Sequence, residues 1–138
     1  MSAKLLDTCV LIDLTIGRWP SVDRRFNEAR TSSATLNLSS VSLFEFEYGL
    51  ERSGRRQAHL EVFQRFRSVV EIADLNEDDA VAAAAVKARL AAQGEPIGPY
   101  DLLIAGQALA RGWTLVTSNA REFERVAGLT IEDWRAQP

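Results

Sequence analysis

The sequence is poor in the residues that most often carry out chemistry: it holds one cysteine, Cys9, and one histidine, His59. A lone cysteine excludes an internal disulfide and any cysteine-based zinc cage. A lone histidine excludes a His-pair nuclease, a zinc-protease helix of the HExxH type, and a Cys–His triad with its orienting base. His59 itself lies in RRQAHLEVF, the pattern of a solvated helix, and is read as incidental. No apolar run approaches the roughly 18–20 residues needed to cross a bilayer. The opening MSAKLLDTCVLIDL has neither a proper basic leader nor a small-residue cleavage site, so a cytoplasmic protein with no membrane partner is expected. No GxGxxG follows the first apolar run, which argues against a dinucleotide site. Catalysis, if present, falls to carboxylates, hydroxyls and arginines.

What the chain does have is ordinary for a compact protein. Its 138 residues, 46% hydrophobic and 25% charged, predict a single domain over 1–138 with a sizeable core. The net charge of −3 argues mildly against a protein that coats itself with nucleic acid. Yet all but Lys4 and Lys87 of the 16 basic residues are arginines, clustered at Arg24, Arg25, Arg52, Arg55, Arg56, Arg65 and Arg67. Arginine's planar fork suits phosphate. A GC-rich genome would produce the same bias, so both readings stand.

The pattern alternates strands with helices. Lys4 to Asp7 reads as a buried strand feeding a helix from Thr8, closed by Gly17 and Pro20. SVDRRFNEAR reads as a second helix capped by Ser21, and Thr35–Ser40 as a second strand. From Ser42, Leu43, Phe46 and Leu50 keep helical spacing to Gly54; Leu60, Phe63 and Phe66 stripe a further helix, giving a helical hairpin. Val69–Ile72 reads as a third strand. Asn76 and the acids Glu77, Asp78 and Asp79 read as the capping cluster of an alanine-rich helix to Gln93. After the loop EPIGPY comes DLLIAGQALARG, apolar on nearly every face and so expected deep in the core. Thr114–Thr117 is a fourth strand, SNAREFERV a loop and helical turn, and Leu129–Ile131 a final strand. These elements predict an α/β fold with a mainly parallel sheet, three-layered where helices cover both faces.

In such a sheet, ligands bind beyond the carboxyl ends of the strands. Asp7, Glu45 and Asp101 fall at those ends or in the first turns that follow, each beside large apolar residues. Each has a structural reading too. Asp7 can cap the helix from Thr8, Ser42-x-x-Glu45 can be a capping box, and Asp101 after Pro99 can complement a helix dipole. Taken together, three converging carboxylates repel and resist ionisation unless a cation sits among them. Oxygen donors without His or Cys select a hard ion, Mg²⁺ or Mn²⁺, and phosphodiester hydrolysis is the chemistry such an ion serves without histidine. Thr8, Thr117, Ser118 and Asn119 lie near the same edge and can orient water or a phosphate oxygen, or simply serve turns. Asp13 and Glu47 have solvated or core-edge explanations and are set aside. A phosphatase of the haloacid dehalogenase type needs a second acid two residues after Asp7, where Cys9 stands.

Four segments, LLDTCVLIDL, SSVSLFEFEYGLERS, GEPIGPYDLLIAGQALARG and LVTSNAREFERVAGLTIEDW, make the chain resemble the PIN-domain ribonuclease toxins of VapBC toxin–antitoxin pairs over nearly its whole length. The resemblance implies a PIN-like α/β/α sandwich and an endoribonuclease dependent on Mg²⁺ or Mn²⁺, with Asp7, Glu45 and Asp101 matching the family's three metal-holding acids. At the fourth position, where many members have aspartate, Asn119 stands. Members with a VTNN-x-REF variant are more similar, and in them the glutamate matching Glu122 is the candidate fourth catalytic acid. Also implied are a homodimer, a cognate VapB-like antitoxin whose C-terminal segment covers the site, and operator DNA contacted only through that antitoxin. The implied substrate is a structured RNA, in some members initiator tRNA, with hairpin arginines available to the backbone. The alternative, motivated by Asn119, is a catalytically weak co-repressor subunit that only binds antitoxin.

Overall fold

The computed structural model describes residues 2–136. Five strands, β1 (Ala3–Leu6), β2 (Thr35–Ser39), β3 (Glu71–Ala73), β4 (Thr114–Val116) and β5 (Ile131–Glu132), form one sheet in the order β3-β2-β1-β4-β5. Every neighbouring pair is parallel. Seven helices connect them: α1 (Thr8–Ile16), α2 (Pro20–Thr31), α3 (Ser40–Ser53), α4 (Arg56–Arg67), α5 (Glu77–Ala92), α6 (Pro99–Arg111) and α7 (Ala120–Phe123). Among the described residues, no helix is long and apolar enough to cross a membrane.

The two-residue period of the strands creates the layers. Leu6, Leu38 and Val116 point to one face, where Val10 and Leu11 of α1, Val22 of α2, Phe46 and Leu50 of α3, and Phe63 and Phe66 of α4 cover them. Leu5 and Leu115 point to the other, under Val86 and Leu90 of α5, Ile104, Ala105 and Ala108 of α6, and Phe123 of α7. Both faces are therefore sealed, as an all-parallel sheet requires. Because β1 passes to β2 on one side while β4 lies on the other, the strand order reverses at β1, which opens a crevice beyond the carboxyl ends of β1 and β4.

α5 and α6 cross unusually closely. A Cβ on Gly106 would lie 2.5 Å from the Ala83 backbone nitrogen, so only glycine permits this approach. α6 is buried through Leu102 and the run Ile104 to Ala108, as its apolar pattern predicts.

Several expected boundaries move, each for a physical reason. Ser21 does not cap α2: Pro20 occupies the first turn, where its missing N–H costs nothing, Trp19 is the cap residue, and buried Ser21 donates instead to the Arg135 carbonyl. α3 begins at Ser40 rather than Ser42, because Ser39 at the end of β2 accepts from the Val41 N–H at 3.1 Å. Ser42 is consequently inside the helix, with a buried hydroxyl lacking a protein partner, and Ser42-x-x-Glu45 is no capping box. β3 is Glu71–Ala73 and β5 Ile131–Glu132, since register with Asn37–Ser39 and with Leu115–Val116 defines them rather than the apolar runs upstream. Asn76 and Asp79 do form a reciprocal capping box at the start of α5.

Candidate active site

At the end of β1 the ladder runs one residue further, the Asp7 N–H donating to the Val116 carbonyl at 2.9 Å. Asp7 is buried, and its side chain caps α1 through the Thr8 N–H at 2.8 Å, so the structural reading of this residue is correct. Its second oxygen accepts from the Thr117 hydroxyl at 2.8 Å and from the Cys9 thiol at 3.5 Å. Thr117 has no exposed surface, and its hydroxyl accepts from the Asn119 N–H at 3.0 Å, which orients its proton toward Asp7. Burial pushes the Asp7 carboxyl up, against the pull of these donors.

Glu45 sits in the second turn of α3, not the first, because the helix starts earlier than its serine pattern suggests. Its Oε1 accepts from the Thr8 hydroxyl at 2.8 Å, which ties α3 to the start of α1. Partial burial raises its pKa, with a further push from Asp7. Thr8 thus serves both neighbouring acids, offering its N–H to Asp7 and its hydroxyl to Glu45.

Asp101 lies in the first turn of α6, behind Gly98 and Pro99. Its carboxyl is pushed up to about 7, first by burial, then by the negative charges of Asp7, Glu122 and Glu45, and last by its proximity to the Glu122 carboxyl. The positive end of α6 is outweighed by this crowd of acids. Glu122, in α7, accepts the Gly98 N–H on Oε1 at 2.8 Å and the Asn119 Nδ2 on Oε2 at 2.6 Å. Asn119 therefore does not replace an acid so much as deliver one, steering Glu122 against the entrance of α6. Ser118 contributes through its backbone, donating its N–H to the Cys9 sulfur at 3.3 Å.

The structure brings Asp7, Glu45, Asp101 and Glu122 to one crevice, with Thr8, Thr117, Ser118 and Asn119 bracing them. Among the described residues, no three acidic, imidazole or thiol side chains are drawn in tightly around one metal-sized point. The donor chemistry nevertheless fits a hard divalent cation, being all oxygen and electrostatically frustrated, with the Asp101 carboxyl raised by burial and then by its acidic neighbours. Cys9 is the member that composition alone passed over. Its only signal is position, in the first turn of α1 two residues after Asp7, where a side chain leans back toward the cap. Asp13 lies elsewhere: it is buried and held in a two-point ion pair by Arg135, with 2.7 Å contacts to each oxygen. Glu47 is at the surface, paired with Arg56.

Comparison with known proteins agrees with this geometry. Residues 4–129 match the family model described as "PIN domain". The chain is 41% identical over 130 residues to "tRNA(fMet)-specific endonuclease VapC" of Shigella flexneri, covering 94% of this chain and 96% of that one. It is 35% identical to "Ribonuclease VapC2" of Haemophilus influenzae, covering 97% and 99%. Among solved structures, DNA-bound VapBC from Salmonella typhimurium superposes with a TM-score of 0.86 at 40% identity, over 97% of this chain and 99% of that chain. VapBC2 from Rickettsia felis, bound to a promoter DNA fragment, superposes with a TM-score of 0.89 at 29% identity, over 96% and 98%. With its sheet order, its acidic crevice and these likenesses over nearly its full length, the chain belongs to the PIN domain family, in its VapC branch.

Proposed function

We propose that this chain is the toxin of a type II toxin–antitoxin pair, an endoribonuclease that hydrolyses RNA phosphodiester bonds with the help of Mg²⁺ or Mn²⁺. The observation that carries the reading is the crevice itself, where burial and three neighbouring acids push Asp101 up to about 7. In a PIN chain this is the electrostatic condition a divalent cation relieves. Asp7, Glu45 and Asp101 would hold the ion, which when bound supplies Lewis-acid polarisation of a phosphoryl oxygen and lowers the pKa of water. Thr117 and Cys9 hold the second oxygen of Asp7, and Thr8 fixes Glu45, so the first two acids meet a ligand preoriented. Glu122 braces the Gly98 end of α6, and its charge adds to the push on Asp101.

Initiator tRNA is the substrate favoured by the Shigella relative's name, and a VapB-like antitoxin is the partner favoured by the VapBC structures. Contact with operator DNA would then pass through the antitoxin. A homodimer and a cytoplasmic location follow the same family likeness. The interaction-only alternative is the weaker reading, since Asn119 donates to Glu122 and so supports Glu122 as the fourth acid. The test is digestion of total RNA and of purified tRNAs with Mg²⁺ or Mn²⁺, against a chelator control, with 5′ ends mapped in cells expressing the chain with and without its genomic neighbour. Discrete fragments, lost on chelation, are expected; no chelator-sensitive cleavage of any RNA overturns the proposal.

A further inference from the structure

Beside the acids lies a feature the hydrolytic chemistry does not use. Phe44, Tyr48 and Tyr100 are 52%, 55% and 44% exposed, in a chain that otherwise buries most of its aromatic rings. Phe44 and Tyr48, one turn apart on α3, lie near-parallel at 7° with centroids 6.4 Å apart. Tyr100, from the first turn of α6, meets Phe44 edge-on at 5.6 Å. One turn beyond, the Arg52 guanidinium lies 5.4 Å from the Tyr48 ring centre and continues the row. Phe44, Tyr48, Tyr100 and Glu45 line a shared cavity of about 400 Å³.

The placement is informative because Phe44 precedes Glu45 and Tyr100 precedes Asp101 in the chain. Glu45 shares its cavity with these rings, so a polymer whose phosphate reaches that carboxylate has them within reach of its neighbouring unit. Exposed phenylalanine has no polar group to satisfy, so the row gains free energy only when something flat and weakly hydrated covers it. An unpaired base stacks on such rings whatever its identity, and an arginine at the end of the row suits the adjoining phosphate. A base still paired in a duplex cannot offer its face.

We propose that Phe44, Tyr48 and Tyr100 form a stacking subsite for one unpaired nucleobase flanking the scissile phosphate, with Arg52 on the next phosphate. The inference rests on the nuclease reading above and deepens it by naming the side chains that would hold the base beside the cleavage point.

The test uses the full chain and a short unpaired oligoribonucleotide carrying 2-aminopurine beside the cleavage position, in Ca²⁺ to neutralise the acids. Stacking quenches the probe, and quenching is expected. Phe44→Leu and Tyr100→Leu should raise Kd about 5-fold or more, the worth of a base–aromatic stack. Phe44→Trp and Tyr100→Phe should restore wild-type Kd. Replacing the flanking nucleotide by an abasic one should weaken wild type by the same factor and Phe44→Leu not at all. Additive losses, an unchanged Kd in Phe44→Leu, or a change of sedimentation coefficient in that variant without RNA would overturn the proposal, the last by assigning the face to protein contact. Quenching without chelator-sensitive cleavage would leave the subsite standing and refute the nuclease; cleavage without quenching would do the reverse.

Discussion

A buried and a half-buried carboxylate at the starts of adjacent helices have opposite fates in this molecule. Asp79, in the first turn of α5, accepts from the Arg111 guanidinium on both oxygens, at 3.2 and 2.8 Å, from the Asn76 N–H at 2.9 Å and from Gln107 at 3.3 Å. Although burial alone would raise it, these donors hold its carboxyl below the usual range. Asp101, in the first turn of α6, faces Asp7, Glu122 and Glu45 and is pushed up to about 7. A helix N-terminus is common to both, so the dipole does not decide the outcome; the partners do. Asp79 is neutralised by the chain itself and serves the fold, while Asp101 faces acids in place of a cationic partner.

The largest expected effect that tests this contrast is on activity. Asp101→Asn or Asp7→Asn should lower RNA cleavage by about 10²-fold or more, while the thermal midpoint holds or rises because like-charge crowding is relieved. Asp79→Asn should leave cleavage near wild type. Next comes stability: Arg111→Met leaves buried Asp79 without its charge partner and should cost roughly 3 kcal/mol in urea unfolding, while the double variant Arg111→Met, Asp79→Asn recovers much of the loss. Equal costs for the single and double variants would show that the pair matters through packing and not charge.

The smallest effect is a pH slope. Folding raises the Asp101 pKa, so the native state binds the extra proton and stability falls as pH rises from about 4 to about 7, then levels. The change is on the order of 1–2 kcal/mol, because Asp101 is partly exposed and water screens the repulsion. Asp79 acts with the opposite sign: its contribution is present above the ordinary carboxyl range and is lost as pH falls through its lowered value. Urea midpoints at pH 5 and pH 8 should therefore fall for wild type, flatten in Asp101→Asn, and flatten on adding Mn²⁺ to wild type.

The contrast was only half legible in the sequence. The acids Asp7, Glu45 and Asp101 stand out because each interrupts or adjoins an apolar run at a strand or helix boundary, a placement that solvated charge does not need. Asp79 was legible as a cap from Asn76 and its acidic run, but its partner Arg111 lies in another helix, and only tertiary packing joins them. The start of α3 was misplaced because three serines in Ser39-Ser40-Val41-Ser42 satisfy two capping registers equally; the pairing of Leu38 with Leu6 and Ile72, which ends the strand at Ser39, chooses between them. β3 and β5 were displaced for a similar reason, since their limits come from their neighbours' hydrogen bonds. The partnership of Asn119 with Glu122 is a local hydrogen bond that no hydropathy pattern encodes.

The missing side chain at Gly106 has a mechanical consequence for the Asp101 end of the same helix. With backbone pressed against Ala83, α6 has no side chain between it and α5 at that crossing, so Asp101 stands on a closely seated helix. In the proposed reaction, any adjustment to an ion and a strand of RNA would then fall to the opposing jaw, the side chains of α1 and α3 and the short span from Ser118 to Glu122.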